Sequence, residues 1–353
     1  MAKSWRLTVI LTCIAILIKV FSLFPAAVEQ YYSTGFFPVI SSFQRLLTGF
    51  ISFSIGDIIY AVFVIWIFVR LFKTLRAIIL KTVTRRSFFR SLKRTINLTL
   101  IIYILFYGLW GLNYYRLGIA SQLNLQRDQY KRNDLQRINL MLIEGLNNER
   151  RKINTMLEWP EVAKNAVSAY SLANQSLPFL KYRFPSVKSS FYGKALNYFG
   201  FLGYYNPFTG EANVNKAMPA FLLPFTTCHE IGHQLGYGTE DEANFAGYLS
   251  ATSSKLPEFR YSARLELFLY CNAQLSIRDS LTFRNNYFLL DTLVKKDLEE
   301  YKTFLLAHKN PLEPFITAIY GRYLMANNQP NGISTYSDVV ALLIAYEKKY
   351  GKI

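Results

Sequence analysis

Three long apolar segments in the first 114 residues constrain this chain more than any other feature. They are LTVILTCIAILIKVFSLF (7–24), IIYAVFVIWIFV (58–69, extended by its flanks) and INLTLIIYILFYGLWGL (96–112). In hydrocarbon every backbone N–H and C=O must be paired within its own segment, so such stretches become helices. Each approaches the ~20 apolar residues that a spanning helix needs. The expected spans are about 7–25, 55–72 and 96–113. Lys19 is the only charge inside them, and near a helix end it can snorkel to the interface. A cleaved signal peptide fits poorly, because no clean small-x-small site follows and two more apolar segments come after.

Charge predicts the orientation. Residues 70–94 carry Arg70, Lys73, Arg76, Lys81, Arg85, Arg86, Arg90, Lys93 and Arg94 without an acidic residue, and Lys3 and Arg6 precede the first segment. The connection at 26–54 has only Glu29 and Arg45. Positive charge stays on the cytoplasmic side. The expectation is therefore an integral protein of the inner or plasma membrane with a cytoplasmic N-terminus and a basic cytoplasmic loop at 70–94. Residues 115–353 would be an extracytoplasmic domain on the periplasmic side. The net charge of +17 divides accordingly: 13 basic and 2 acidic groups lie in residues 1–114, and 27 basic against 21 acidic in the remainder. The basic excess reads as a topology signal with the lipid bilayer as partner. No basic face on the C-terminal part supports nucleic-acid binding.

The C-terminal part reads as mostly α with a small β-sheet. Residues 116–156 look like one long amphipathic helix, and Trp159-Pro160-Glu161 starts another that runs to about Ser176. Residues 189–208 (SSFYGKALNYFGFLGYYNPF) read as strand and turn, and Gly210–Asn215 as a short strand after a turn. From about 260 the pattern is helical again. Of three cysteines, Cys13 lies in the first span. Cys228 and Cys271 form either one disulfide or two separate thiols.

Between these regions lies TTCHEIGHQLGYGTEDEANFAGY (226–248), which holds two of the three histidines. His229 and His233 are four apart, hence on one helix face, and Glu230 follows the first. Two imidazoles and an adjacent carboxylate in this order suit one zinc ion per chain, with Glu230 as general base. Zinc lowers the pKa of a water toward ~7 and polarises a carbonyl. A catalytic zinc needs a third protein ligand. The metzincin pattern would place a histidine at 239, where Thr239 stands. A carboxylate from a second helix remains. Gly236 and Gly238 can end the first helix, and Thr239 can cap the second. Glu240 is the favoured ligand, with Asn244 one turn on as a hydrogen-bonding support for a histidine. Glu242 is the alternative, although Thr239-x-x-Glu242 also reads as a capping box. Ala243, Ala246 and Gly247 are small enough for close helix approach. Because His229 lies more than a hundred residues beyond the third span in polar surroundings, the metal is expected outside the bilayer.

Glu240-x-x-Ala243-Asn244 resembles the E-x-x-A-D/N element of gluzincin metallopeptidases, including the membrane-bound HtpX and CAAX-prenyl-protease type, in which the first Glu is a zinc ligand. The chain departs from that type in its seven-residue His-to-Glu spacing and in Asn244 where Asp stands. Most of the chain resembles a bacterial family catalogued as a domain of unknown function. That likeness rests on the three spans ending in Trp110-Gly111-Leu112-Asn113-Tyr114-Tyr115-Arg116, on Pro207-Phe208-Thr209-Gly210-Glu211-Ala212-Asn213, and on HEIGHQLGYGTEDEANFAGYL. The resemblance implies three transmembrane helices followed by a zincin-like α+β domain, and it carries over no substrate.

Zincins bind substrate backbone along an edge strand, and the stretch with Glu211, Asn213 and Asn215 is the candidate. The candidate oxyanion donors are His308, Tyr320, Tyr323 and Tyr336. The expected function is a membrane-anchored zinc metallopeptidase acting on a protein or peptide. The alternative is a catalytically silent zincin-like envelope sensor or scaffold. A transporter fits poorly, because the spans carry no charged midplane residues. The orientation is checked with fusions: alkaline phosphatase is expected to be inactive after residue 83 and active after residue 353, and the reverse pattern would overturn it.

Overall fold

The computed structural model describes residues 2–127 and 129–353, with side chains from residue 5 onward, so Lys3 of the flanking charges lies outside the described side chains. The chain is mostly helical with one three-stranded sheet. Two helices are long and apolar enough to cross a membrane: α3 (Ile55–Ile79) and α4 (Arg85–Leu109). A third span exists if α1 (Ala2–Phe21) and α2 (Pro25–Thr48) are one broken element, bent by 99°. The basic stretch 70–94 is not a loop. It lies mainly on the facing ends of α3 and α4, joined by residues 80–84. Thr84 and Ser87 form a reciprocal capping box that starts α4 there.

The connection at 26–54 is largely α2. Phe37, Ser41, Gln44, Arg45 and Thr48 are buried, whereas Phe36, Val39, Phe43, Leu46 and Leu47 are exposed. The polar side faces protein and the apolar side faces out. This inverts the usual pattern of a helix on a water-soluble protein and suits a helix lying against lipid. Helices α1 and α4 pack together, with Thr8 Oγ1 donating to Asn97 Oδ1 at 2.7 Å. In contrast, α3 is exposed from Val62 to Ile79 at every residue but Ala77.

Helices α5 (Gly118–Gln122) and α6 (Arg132–Arg150) replace the single helix expected over 116–156. Helix α7 (Trp159–Ala173) follows as expected. Strands β1 (Val187–Ser189), β2 (Gly203–Asn206) and β3 (Glu211–Val214) form a sheet in the order β1-β3-β2, with β1 parallel and β2 antiparallel to β3. Helix α8 (Gly193–Phe199) interrupts the stretch read as strand and turn. Helices α9 (Leu223–Gln234) and α10 (Glu240–Thr252) form the centre, and α11 (Pro257–Arg278) packs on both. The remaining helices are α12 (Ser280–Leu289), α13 (Thr292–His308), α14 (Glu313–Ala326) and α15 (Val339–Tyr350). The three cysteines are free, and Cys228 and Cys271 are buried.

Buried polar groups tie the N-terminal helices to the sheet. Glu211 caps α3: its carboxylate accepts from Gly56 N at 2.6 Å, Ile55 N at 3.0 Å and Thr209 Oγ1 at 2.9 Å. Asp57, in the first turn of α3, accepts from Phe191 N at 2.6 Å, Ser190 Oγ at 3.1 Å and the Tyr204 hydroxyl. A carboxylate at a helix N-terminus is favourable because four N–H groups there lack intrahelical partners. Removing it leaves buried donors unpaired. Glu211→Ala is expected to lower stability by about 3 kcal/mol, read as the thermal midpoint of the full chain in detergent. An unchanged midpoint would remove Glu211 from this role.

Candidate metal and catalytic site

The site begins with the end of α9. Gly236 takes φ +86°, its N–H reaches His233 O at 3.0 Å, and Tyr237 N reaches Gly232 O at 3.2 Å. Such a left-handed termination is easiest for glycine. Thr239 is the extended N-cap residue of α10, and Glu240 is its first helical residue. The capping box expected between Thr239 and Glu242 does not form, because the Thr239 side chain makes no cap hydrogen bond.

Small residues let α10 lie directly on α9. A Cβ on Gly247 would stand 2.9 Å from His229 N, and one on Gly232 would stand 3.2 Å from Ala243 O. At this approach Glu240 Oε2 lies 3.4 Å from His229 Nε2 and 3.5 Å from His233 Nε2. The three side chains are buried, with one ligand atom of each lying within 4.8 Å of the others. Tetrahedral coordination at 2.0–2.1 Å would separate ligand atoms by about 3.3 Å, close to the two Glu240–histidine separations. Glu240 Oε2 has no regular hydrogen-bond partner among the described residues.

Neighbours aim the three groups. His233 Nδ1 is 2.8 Å from Tyr237 O, which turns Nε2 toward Glu240. Tyr320 OH donates to Glu240 Oε1 at 2.7 Å and leaves Oε2 toward the histidines. The Glu240 backbone N–H donates to Gln329 Oε1 at 3.0 Å. Asn244 sits beside His229. Its amide nitrogen instead donates to Tyr336 O at 3.3 Å, and no regular hydrogen bond reaches His229 Nδ1.

The electrostatics follow from burial against pairing. Burial opposes the charged form of Glu240, yet the close His229 and His233 imidazoles hold its carboxyl well below the usual range. Burial lowers His229. The same burial opposes a charged His233, but the adjacent Glu240 carboxylate lifts it to about 9. Burial pushes Glu230 up to about 8, with His233 opposing and Glu240 adding to the rise. With that shift Glu230 holds its proton at neutral pH, and a cation between His229, His233 and Glu240 would favour its charged form, the form that accepts a proton.

A cavity of about 460 Å³ opens over His229, Glu230, His233 and Glu240. Its walls are aromatic and include Tyr60 of α3, Phe106 of α4 and Trp110. Trp110 Nε1 donates to His233 O at 2.9 Å. The polar surroundings expected for His229 are thus corrected: the ends of two membrane-length helices line its cavity. A smaller cavity of about 220 Å³ shares His229 and Glu230 and is lined by Asn244, Glu266 and Tyr270. Burial lifts Glu266 there to about 7.

Other expected residues are placed differently. Glu242 points away from the histidines, accepting from Ile119 N at 3.0 Å and lying 3.6 Å from Arg127 Nη2, because α5 needs a partner at its N-terminus. His308 faces a separate cavity of about 110 Å³, with Nδ1 2.8 Å from Phe304 O. Tyr320, Tyr323 and Tyr336 all line the main cavity. The strand with Glu211, Asn213 and Asn215 is not an edge. Strand β3 is central, paired on both sides, and those three side chains are fully buried in internal hydrogen bonds.

The edge that meets the site is β2. A Cβ on Gly203 would lie 2.5 Å from Glu230 Oε1, so the strand backbone approaches this carboxyl as only glycine allows. A glycine inside a strand is the available sequence signal for such an approach. No local signal points to Trp110, Tyr60 or Gln329.

No curated protein and no solved structure matches the chain. A family model described as "Protein of unknown function (DUF3810)" matches residues 32–344. That match covers most of the sequence and includes α9, α10 and the residues lining all three cavities, and the chain therefore belongs to the DUF3810 family.

Proposed function

We propose that this protein is a membrane-anchored zinc metallopeptidase with a zincin-like C-terminal part on the extracytoplasmic side. One observation carries the proposal: two imidazole nitrogens lie 3.4 and 3.5 Å from one carboxylate oxygen, all within 4.8 Å of one another, with Glu230 beside them. His229, His233 and Glu240 would hold the ion. When bound, zinc supplies Lewis acidity to a carbonyl and acidifies a water.

The remaining roles belong to the chain itself. Glu230 accepts a proton from the attacking water and returns it to the leaving amine. The free edge of β2 at Gly203–Tyr205 receives an extended peptide backbone, passing it across Glu230. Because Tyr320 is committed to Glu240, Tyr336, whose ring stacks on His229 at 6.5 Å, is the better placed donor to a developing oxyanion. The aromatic walls bind apolar side chains and exclude water. Tyr60, Phe106 and Trp110 in those walls favour a substrate segment at the membrane surface.

Two measurements test this. Elemental analysis of the purified full chain is expected to give about one zinc per chain, lost in His233→Ala and in Glu240→Gln and retained in Glu242→Gln and His308→Ala. A correctly folded wild type that takes up no zinc would favour the silent sensor or scaffold. Glu230→Gln is expected to keep its zinc while peptide hydrolysis falls by about 10²–10⁴-fold in kcat/KM. Equal activity in that variant would sink the mechanism.

A further inference from the structure

A further cavity, of about 570 Å³, lies between α2 and the C-terminal part. Arg45, Arg116, Lys181 and Arg183 line it, and no acidic residue does. Arg116 is satisfied by Glu29 at 2.7 Å. Arg45 is only 3% exposed, and its guanidinium donates to Arg183 O at 3.1 Å, Gln234 O at 2.9 Å and, at 3.5 Å, Ser42 Oγ. Among the described residues no carboxylate pairs with Arg45, and none pairs with the exposed Lys181 or Arg183. Ser33, also lining the cavity, has a buried hydroxyl without a hydrogen-bond partner among the described residues.

Arg45, buried without a counter-ion, is costly unless an anion enters the cavity, and the exposed Lys181 and Arg183 give its mouth a positive field that attracts one. The rim identifies the kind of anion. Val39 and Phe184 line the cavity while 68% and 47% exposed, and the exposed face of α2 continues from them through Phe36 and Phe43. An inorganic anion has no use for such a rim, whereas a phospholipid presents a phosphate and acyl chains together. Guanidinium and ammonium groups recognise phosphate, and basic pockets beside membrane helices suit anionic lipids.

We propose that this cavity is a binding site for an anionic phospholipid of the leaflet in which α2 lies. The phosphate would sit among Arg45, Lys181 and Arg183, with its acyl chains along Val39, Phe43 and Phe184. This proposal is independent of the peptidase assignment, because none of these residues lines the candidate catalytic cavity.

The test titrates the full chain in neutral detergent with phosphatidylglycerol, phosphatidylcholine and inorganic phosphate, following bound lipid by native mass spectrometry. Phosphatidylglycerol is expected to bind roughly tenfold more tightly than phosphatidylcholine. That preference should vanish in the Lys181→Ala/Arg183→Ala variant with its zinc content and melting midpoint unchanged. Ser42→Asp, which places a carboxylate beside Arg45, is expected to lose the preference as well. Equal binding of the two lipids, or a preference that survives both variants, would overturn the proposal. Inorganic phosphate competing as strongly as the lipid would also overturn it, in favour of a free-anion site.

Discussion

The contact between α9 and α10 at backbone distance is the constraint on which the rest of the site depends. Gly232 and Gly247 remove the side chains that would hold the helices apart, and the Gly236 turn reverses the chain between them. Seven residues then suffice to carry Glu240 back over both histidines. The same approach buries several ionisable groups together. Such a cluster is stable only when each charge finds a partner. Tyr320 satisfies Glu240 Oε1, Gln329 the Glu240 backbone N–H and Tyr237 O the outward nitrogen of His233, while Glu240 Oε2 and the two Nε2 atoms face one another.

Membrane-length helices and the candidate site form one packed unit. Glu211 and Asp57 fasten α3 to the sheet that carries Gly203, and Trp110 at the end of α4 holds the carbonyl of His233. Helix α2 adds a polar contact, since Gln44 donates to Pro207 O and Arg45 to Gln234 O. The cavity over His229 therefore keeps a fixed height relative to the apolar helices. Its aromatic lining continues the interfacial character of their ends.

Much of this was legible before any coordinates. Apolar length marked the helices α3 and α4, and the His-Glu-x-x-His spacing marked α9, because both signals are local and periodic. Glycine and threonine at 236–239 placed the turn and the start of α10 correctly. The errors have a common origin in long-range pairing. Glu242 looked like a capping-box partner of Thr239, but the unpaired N–H of Ile119, more than a hundred residues away in sequence, takes it instead. The strand at 211–214 looked like an edge because neither of its neighbours is visible in local pattern. Residues 26–54 looked like a connection because α2 has its polarity inverted.

The sequence by itself determined that the chain has membrane-length helices, that His229 and His233 share a helix face with Glu230 beside them, and that a second helix starts at Glu240. These follow from hydrophobic length, from 3.6-residue periodicity and from the backbone preferences of glycine and threonine. Only the tertiary structure decided which carboxylate meets the histidines, which strand edge meets Glu230, and that Tyr60, Phe106 and Trp110 wall the cavity. Those outcomes depend on which buried donors and acceptors are left to be satisfied once distant segments pack. No local window of sequence contains that information.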